Sequence, residues 1–168
     1  MKRRSALASI AAAAGWLAGC GEQGPRSTLH WPALPVRDLA GGIATFPAVS
    51  AGARVINVWA LWCPPCRREL PSLERLASAL APRGIEVSAI ALARESFPVR
   101  EYLAQHAAGL RSVVLSPGEP QVSELGLNSL PQTFVVAADG AVLARWTGAR
   151  EWDLPEVRRQ LDAVLKTA

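Results

Sequence analysis

Residues 55–71 read VINVWALWCPPCRRELP and decide the fold. The apolar run over residues 54–60 is short and rich in Val and Ile, which is typical of a buried strand. A helical pattern follows over residues 64–81, and proline is favoured in the first turn of a helix. Cys63 and Cys66 therefore lie at the junction of a strand and a helix. A C-x-x-C pair near such a β-α-β pattern is a redox signature.

The two cysteines have the spacing that disulfide exchange requires. An offset of three residues at a helix start lets the two sulfurs close a disulfide. Cys63 would lie at the helix N-terminus, where free amides and the helix dipole favour a thiolate. The thiolate is the attacking species in disulfide exchange. Cys66 would lie one turn inside the helix, in a position to resolve a mixed disulfide, so we predict that both cysteines are catalytic.

Helical periodicity places Glu69 on the apolar face of the predicted helix, together with Cys66 and Leu73. A carboxylate in that position should be partly desolvated, which raises its pKa. It could then exchange a proton with Cys66, so we predict Glu69 as a catalytic acid or base. The alternative is that Pro71 kinks the helix and lets Glu69 reach solvent.

The cysteine pair also allows other uses. A structural disulfide in a static interaction module would brace only a four-residue segment, which gains little stability. Zinc needs about four ligands, and His30 and His106 are the remaining typical donors, so we expect no metal site. Two thiolates bind Cu(I) well, although Met1 is the only methionine. A Cu(I)-binding metallochaperone is therefore the alternative to redox exchange.

Further candidate residues lie beside the pair and in a later loop. Trp62, next to Cys63, could contact a peptide partner or simply pack over the helix end. Pro64 and Pro65 separate the two cysteines, and we assign them with Trp62 to a client-contact surface. Pro131 precedes a predicted strand and is compatible with a cis peptide, although trans is commoner before proline.

The rest of the body alternates predicted strands and helices, which indicates an α/β sheet. Asp139-Gly140 predicts a closing antiparallel hairpin. Asp153 and Glu156 resemble a capping box for a final helix. The other predicted elements are a hairpin over residues 34–46, strands over 85–92 and 112–115, a helix over 97–107, a short helical turn over 120–125 and hairpin strands over 132–137 and 141–146.

The N-terminus has the features of an export signal. Residues 1–4 are positively charged, and the apolar stretch over residues 5–18 is shorter than a membrane-spanning helix. The sequence LAGC at residues 17–20 resembles a bacterial lipobox, in which Cys20 becomes the lipidated first residue. We therefore divide the chain into a lipoprotein signal peptide (1–19), a tether (20–32) and one domain (33–168), held at the membrane by acyl chains.

Composition excludes several classes of protein. The 168 residues are 50% hydrophobic, which suits one globular domain with its own core. The net charge of +4 rests largely on three basic residues in the signal segment, so the remaining chain is nearly neutral. We therefore expect no nucleic-acid partner.

Taken together, these motifs are similar to the thioredoxin superfamily. Residues 55–71 most resemble the TlpA-like and ResA-like bacterial thiol-disulfide oxidoreductases. The sequence PQTF at residues 131–134, Asp139-Gly140 and Gly148 fit the same pattern, and the resemblance spans about residues 34–165. It implies a thioredoxin fold with a central mixed β-sheet, flanking helices and an N-terminal β-hairpin.

The resemblance also implies roles for particular residues. Cys63 would attack, Cys66 would resolve, and Pro131 would be a cis proline that faces the pair. Leu130 would contact a bound client through its backbone. Glu69 matches an acidic residue that these proteins keep near the active site.

Two positions depart from the pattern. Asn57 stands where cytoplasmic thioredoxins carry a buried acid, which puts a proton relay through that position in doubt. Ala93-Arg94 lacks the acidic residue often found after the second strand of the domain, which could alter the client groove.

From the resemblance we expect an extracytoplasmic, membrane-anchored reductant, with the Cys63–Cys66 disulfide as its redox centre and no separate cofactor. It would act on cysteine-containing client proteins, for example in cytochrome c maturation or copper-centre assembly. A membrane thiol transporter of the DsbD or CcdA type would supply electrons, and we expect a monomer.

Overall fold

The apolar strand that precedes Cys63 becomes an inner strand of a seven-stranded mixed sheet in the computed structural model, which describes residues 29–168. The strands are β1 (Leu34–Arg37), β2 (Ile43–Phe46), β3 (Arg54–Trp59), β4 (Glu86–Leu92), β5 (Arg111–Leu115), β6 (Gln132–Val136) and β7 (Val142–Thr147). The helices are α1 (Pro64–Leu80), α2 (Ser96–His106), α3 (Pro120–Glu124) and α4 (Pro155–Leu165), with a 3₁₀ turn at Ala81–Arg83. The sheet order is β2-β1-β5-β4-β3-β6-β7, which confirms the predicted fold class and N-terminal hairpin.

Strand β3 is covered on both faces and paired on both edges. All six of its residues are buried. It runs parallel to β4 and antiparallel to β6. This burial explains why β3, after its first residue Arg54, reads as an apolar run with a single amide, Asn57, rather than as an alternating pattern.

Helix α1 begins directly after the first cysteine, as predicted. Cys63 is its N-cap residue, and the Cys66 backbone N–H donates to Cys63 Sγ at 3.3 Å. The helix continues through Pro71. The Ser72 hydroxyl, next in the chain, donates to the Glu69 carbonyl at 2.8 Å. The helix therefore keeps its apolar face in the core beyond the proline.

Helix α1 lies between α2 and α4. The crossovers β3-α1-β4 and β4-α2-β5 step in one direction across the sheet, and right-handed crossovers place both helices on the same face. The Arg67 guanidinium lies over the Tyr102 ring of α2 at 6.0 Å. On the other side, Arg75 pairs with Asp153 at 2.7 Å, just before α4. Helix α1 is thus contacted on both sides, near its start by α2 and in its second half by the segment before α4.

Part of the predicted tether belongs to the domain. Trp31 is buried and makes edge contacts with Phe46 and Phe134, with ring centroids 6.3 and 5.1 Å apart. His30 bridges to Ala141 beside β7. The tether boundary at residue 32 is therefore wrong, because one aromatic side chain fixes a segment that has no periodicity. The predicted signal peptide, Cys20 and tether residues 20–28 lie outside the described residues.

The capping box predicted for α4 is also wrong. Leu154, not Asp153, is the N-cap residue, and it makes no side-chain capping bond. The residue before a proline is driven to extended backbone, and Leu154 has ψ 136° before Pro155. Asp153 instead binds Arg75 on α1. Among residues 29–168, none of the helices combines the length and apolar character needed to cross a bilayer.

Candidate active site

Cys63 and Cys66 form a disulfide at the start of α1, with their Cα atoms 5.3 Å apart. Cys63 keeps 5% of its surface exposed, whereas Cys66 has none. A partner sulfur can therefore reach Cys63 more easily than Cys66. This asymmetry fits the predicted roles of attacking and resolving cysteine.

The position of Cys63 favours its thiolate in the reduced protein. Its sulfur lies at the N-terminus of a 17-residue helix, within 3.3 Å of the Cys66 N–H. Free amides and the helix dipole stabilise negative charge there. The sulfur that is exposed is thus also the one that the helix activates.

Glu69 is buried one turn beyond Cys66, as the helical wheel predicts, and only 1% of it is exposed. Its carboxylate accepts hydrogen bonds from Asn57 Nδ2 at 2.8 Å, the Arg150 backbone N–H at 2.9 Å and Trp152 Nε1 at 3.3 Å. Burial raises the pKa of the Glu69 carboxyl, and these three bonds oppose that shift. Glu151, a nearby like charge, adds to the increase in pKa. The alternative, in which Pro71 lets Glu69 reach solvent, is wrong.

Asn57 links Glu69 on α1 to strand β6, which follows Pro131. Its Nδ2 donates both to Glu69 and to Thr133 Oγ1, the latter at 2.9 Å. Thr133 lies on β6, two residues after Pro131. Asn57 on β3 stands where the resemblance places a buried acid in cytoplasmic thioredoxins. Here the Asn57 amide binds an acid on α1, Glu69, instead.

The Leu130–Pro131 peptide bond is cis, as the resemblance implies. Continuing the β3–β6 register past Val58↔Gln132 places Pro131 opposite Trp59, at the edge of the sheet from which α1 starts. The Gly148 N–H donates to the Pro131 carbonyl at 2.9 Å and anchors this loop. Pro131 therefore lies at the same end of the sheet as the cysteine pair.

Leu130 leaves its main chain available. It is half-buried and lies outside any strand, and within residues 29–168 its backbone N–H and carbonyl make no hydrogen bond. The Gln132 side chain holds the preceding loop by donating to the carbonyls of Gly126 and Ser129. An extended client segment could pair with Leu130, as the resemblance implies.

Trp62 is 72% exposed, so the alternative that it packs over the helix end is wrong. Pro64 is exposed and Pro65 is half-buried. The predicted client-contact residues next to Cys63 in the chain thus leave apolar surface exposed to solvent.

Sequence reasoning missed two groups that contact Glu69. The Arg150 N–H and Trp152 Nε1 come from the loop between β7 and α4, more than 80 positions along the chain. No local spacing connects them to the C-x-x-C motif. The one available signal was a tryptophan with a polar N–H in a segment without periodicity, since buried tryptophan usually finds an acceptor.

A model of the Redoxin family matches residues 40–165 of the chain. The chain belongs to the Redoxin family. This Redoxin-family chain is 26% identical over 136 residues to thiol-disulfide oxidoreductase ResA of Bacillus thuringiensis (strain Al Hakam), covering 80% of this chain and 74% of the relative. It is 29% identical over 118 residues to a thiol:disulfide interchange protein DsbE homolog of Paracoccus denitrificans, covering 67% and 63% respectively.

The fold of this Redoxin-family chain matches solved structures. The thioredoxin domain of a thiol-disulfide oxidoreductase from Bacteroides vulgatus superposes with a TM-score of 0.68 at 15% identity, covering 82% of this chain and 96% of that one. Together with the named relatives, this shows a ResA-like member of the thioredoxin superfamily. The protein is a thiol-disulfide oxidoreductase with a Cys63–Cys66 pair.

Proposed function

We propose that this protein is an extracytoplasmic, membrane-anchored reductant of disulfides in partner proteins. The observation that carries the proposal is the Cys63–Cys66 disulfide at the start of α1, with one accessible sulfur and a buried carboxylate one turn further on. Such an arrangement exposes the attacking group and protects the resolving group.

The reaction is a two-electron exchange. The Cys63 thiolate attacks one sulfur of a client disulfide, forms a mixed disulfide and releases the first client sulfur as a thiolate. Cys66 then loses its proton to Glu69 and attacks Cys63 Sγ, which closes the Cys63–Cys66 disulfide and releases the second client thiolate. Glu69 returns the proton to a departing client thiolate. The client gains two electrons, and the protein must be reduced again by a dithiol donor.

The N-terminal sequence and the resemblance support the proposed setting. The lipobox-like segment ending at Cys20 supports export and lipid anchoring. Disulfides persist outside the cytoplasm, so selected cysteines need a dedicated reductant there. We propose clients whose cysteines must stay free for cofactor attachment, as in cytochrome c maturation or copper-centre assembly, and a DsbD- or CcdA-type thiol transporter as electron donor. Relatives named ResA and DsbE support a thiol-exchange role.

Two cysteine variants test the redox function. We expect Cys63→Ser to lose at least 100-fold in insulin disulfide reduction, because the attacking thiolate is gone. Cys66→Ser should accumulate a mixed disulfide with the client, because nothing resolves it, and a non-reducing gel would detect that species. Full insulin reduction by Cys63→Ser would overturn the proposal.

A Cu(I) titration of the wild-type protein distinguishes the redox function from Cu(I) delivery. The reduced wild-type protein is titrated with Cu(I) against a competing chelator, and its disulfide reductase rate is measured in parallel. Tight one-to-one Cu(I) binding combined with a negligible reductase rate would replace the proposed function with metal delivery. We expect the opposite pattern, with rapid reduction of the client.

A further inference from the structure

A second concave site lies beside the redox pair, and the reaction described above does not use it. It is a cavity of about 360 Å³ whose lining includes Arg37, Arg94, Phe97 and Arg100. We call these four residues the arginine pocket. Glu95 is the one acidic residue in its lining.

The arginine pocket lies at the same edge of the sheet as Cys63. Strands β3 and β4 are parallel, so Arg94, two residues beyond β4, lies at the edge where Cys63 follows β3. Strand β5 is parallel to β4, and Arg37 at the end of β1 pairs with Val114 near the end of β5. Neighbouring strands are about 4.8 Å apart, so the pocket extends sideways from the cysteine strand over roughly 5 to 15 Å.

Two of the three cationic groups of the pocket, those of Arg37 and Arg100, contact a neighbour. Arg37 Nη1 donates to the Arg94 carbonyl at 3.2 Å, which leaves its other N–H donors for a ligand. The Arg100 guanidinium lies over the Phe97 ring at 4.9 Å. Phe97 itself is 61% exposed, an unusual placement for a large apolar side chain. The pocket thus combines a guanidinium group suited to carboxylates with an apolar surface beside it.

The acidic residues around the pocket do not neutralise it. Arg37 and Arg94 form no ion pair with any residue from 29 to 168. Arg100 approaches Glu101 at 3.4 Å, but both side chains are about half exposed and such pairs are weak. Asp38 accepts the N–H groups of its own turn, at Ala40 and Gly42. Three arginines and one acidic residue, Glu95, therefore line the pocket, on a chain that is nearly neutral beyond its signal segment.

We propose that the arginine pocket binds acidic side chains of client proteins, close in sequence to the cysteine that Cys63 attacks. This inference rests on the proposed function and specifies its clients. An extended chain advances about 3.3 Å per residue, so the 5 to 15 Å offset corresponds to roughly two to five residues. The acidic residue often found after the second strand of the domain is missing at Ala93-Arg94. Under this proposal, Arg94 instead supplies a positive charge that selects acidic clients.

Three synthetic clients test the inference with the purified protein. They are disulfide-linked peptide dimers that differ only at the third and fourth positions from the cysteine, which carry Asp-Asp, Asn-Asn or Lys-Lys. With dithiothreitol as electron donor, we expect kcat/KM to be about tenfold higher for the Asp peptide than for the Asn peptide, and lower still for the Lys peptide. The preference should shrink as salt is raised from 20 to 500 mM.

A matched pair of charge reversals locates the effect. Arg94→Glu/Arg100→Glu should invert the ratio of kcat/KM for the Asp and Lys peptides. Arg158→Glu/Arg159→Glu changes the charge equally on α4, away from the pocket, and should keep the wild-type ratio. Arg94→Gln/Arg100→Gln removes the charges without reversing them and should bring the ratio close to one. Equal ratios in the wild type and in all variants would overturn the inference while leaving the redox function intact.

A binding measurement on a protein that cannot react distinguishes failure of the arginine pocket from failure of the proposed redox function. In Cys63→Ala/Cys66→Ala protein, the dissociation constants of the reduced, cysteine-blocked Asp and Asn peptides are compared by fluorescence anisotropy. Tighter binding of the Asp peptide supports the arginine pocket even if the wild-type protein reduces neither peptide, a result that would overturn only the proposed function. Equal binding overturns the arginine pocket, whatever the reductase rate.

Discussion

Glu69 is a buried acid whose protonation is controlled by two opposing effects. Desolvation favours its neutral form, whereas three donors favour its charged form. The net direction is a raised pKa, so the proton is held more tightly than on a free side chain but can still be given up. The proposed reaction would use this balance, with Glu69 taking a proton from Cys66 and returning it to a departing thiolate.

Glu69→Gln should remove a pH dependence of folding stability. The folded protein binds the Glu69 proton more tightly than the unfolded chain does, so this carboxyl contributes stability below the unfolded pKa of about 4.3. That contribution is lost as pH rises through the raised folded pKa. The stability of Glu69→Gln relative to wild type should therefore rise with pH above about 4.3, by about 1.4 kcal/mol for each unit of pKa difference.

Urea unfolding of the disulfide form from pH 4 to pH 8 measures this effect, because the bonded cysteines do not titrate. Glu156→Gln, an exposed acid on α4, is the matched control and should follow the wild-type curve. In the reduced protein, Glu69→Gln should also displace the thiol titration curve. Stability curves for wild type and Glu69→Gln that stay parallel across this range would contradict the assigned pKa direction.

At the scale of single residues, the sequence predicts which side chains of a helix are buried, because helical periodicity determines the face on which each one lies. Burial of Glu69 follows from its position on the same face of α1 as Cys66, and this prediction is confirmed. Its donors could not be predicted, because Arg150 and Trp152 arrive through the packing of a distant loop. Local spacing fixes which face a side chain occupies, whereas the partners on that face depend on tertiary structure.

At the scale of elements, the proline rules predict one helix start and would have corrected another. Pro64 in the first turn places the start of α1 after Cys63, where it is observed. The same rule applied to Pro155 makes Leu154 the N-cap residue of α4, although the more familiar capping-box pattern points to Asp153. Backbone restriction before proline outweighs a side-chain capping preference, and Asp153 is released to bind Arg75.

Leu154→Asp should stabilise α4 because the N-cap position lacks a side-chain acceptor. Leu154 is 44% exposed, so replacing it removes only part of a buried surface. Leu154→Ala removes the same apolar contacts without adding a cap and is the matched control. We expect Leu154→Asp to be about 1 kcal/mol more stable than Leu154→Ala in urea unfolding at pH 7. Equal stability of the two variants would mean that the helix start is satisfied by other means.

At the scale of the whole molecule, the topology brings separate segments to one edge of the sheet. Cys63 follows β3, Arg94 follows the parallel strand β4, and Pro131 precedes the antiparallel strand β6. The alternation of strands and helices predicts the fold class from sequence. The strand order could not be predicted from periodicity, because pairing such as β1 with β5 joins segments that are distant in the chain. The juxtaposition of the redox pair and the arginine pocket is therefore visible only in the structure.

The reduction potential is the property of the whole protein that decides its direction of action. Reduction of the disulfide can place a thiolate in the site. The charge of the Glu69 carboxylate and the burial of Cys66 both disfavour that thiolate, so they destabilise the dithiol form relative to the disulfide form. We therefore expect a potential at or below about −230 mV in glutathione or dithiothreitol buffers, in the range of reducing thioredoxin-type proteins. A value near −120 mV would place the protein with strong oxidants, whose reduced form is the stabilised one.

The same direction should appear in folding stability, which provides an independent measurement. The disulfide and dithiol forms differ in their free energies of unfolding whenever the reduction potential of the pair differs between the folded and the unfolded chain. Each 30 mV of that difference in potential corresponds to about 1.4 kcal/mol. We expect the disulfide form to be the more resistant to urea, and Glu69→Gln to narrow the gap, because it removes a charge that opposes the thiolate. A dithiol form that outlasts the disulfide form in urea would show that helix-dipole stabilisation of the Cys63 thiolate outweighs the buried carboxylate, and that the protein acts as an oxidant.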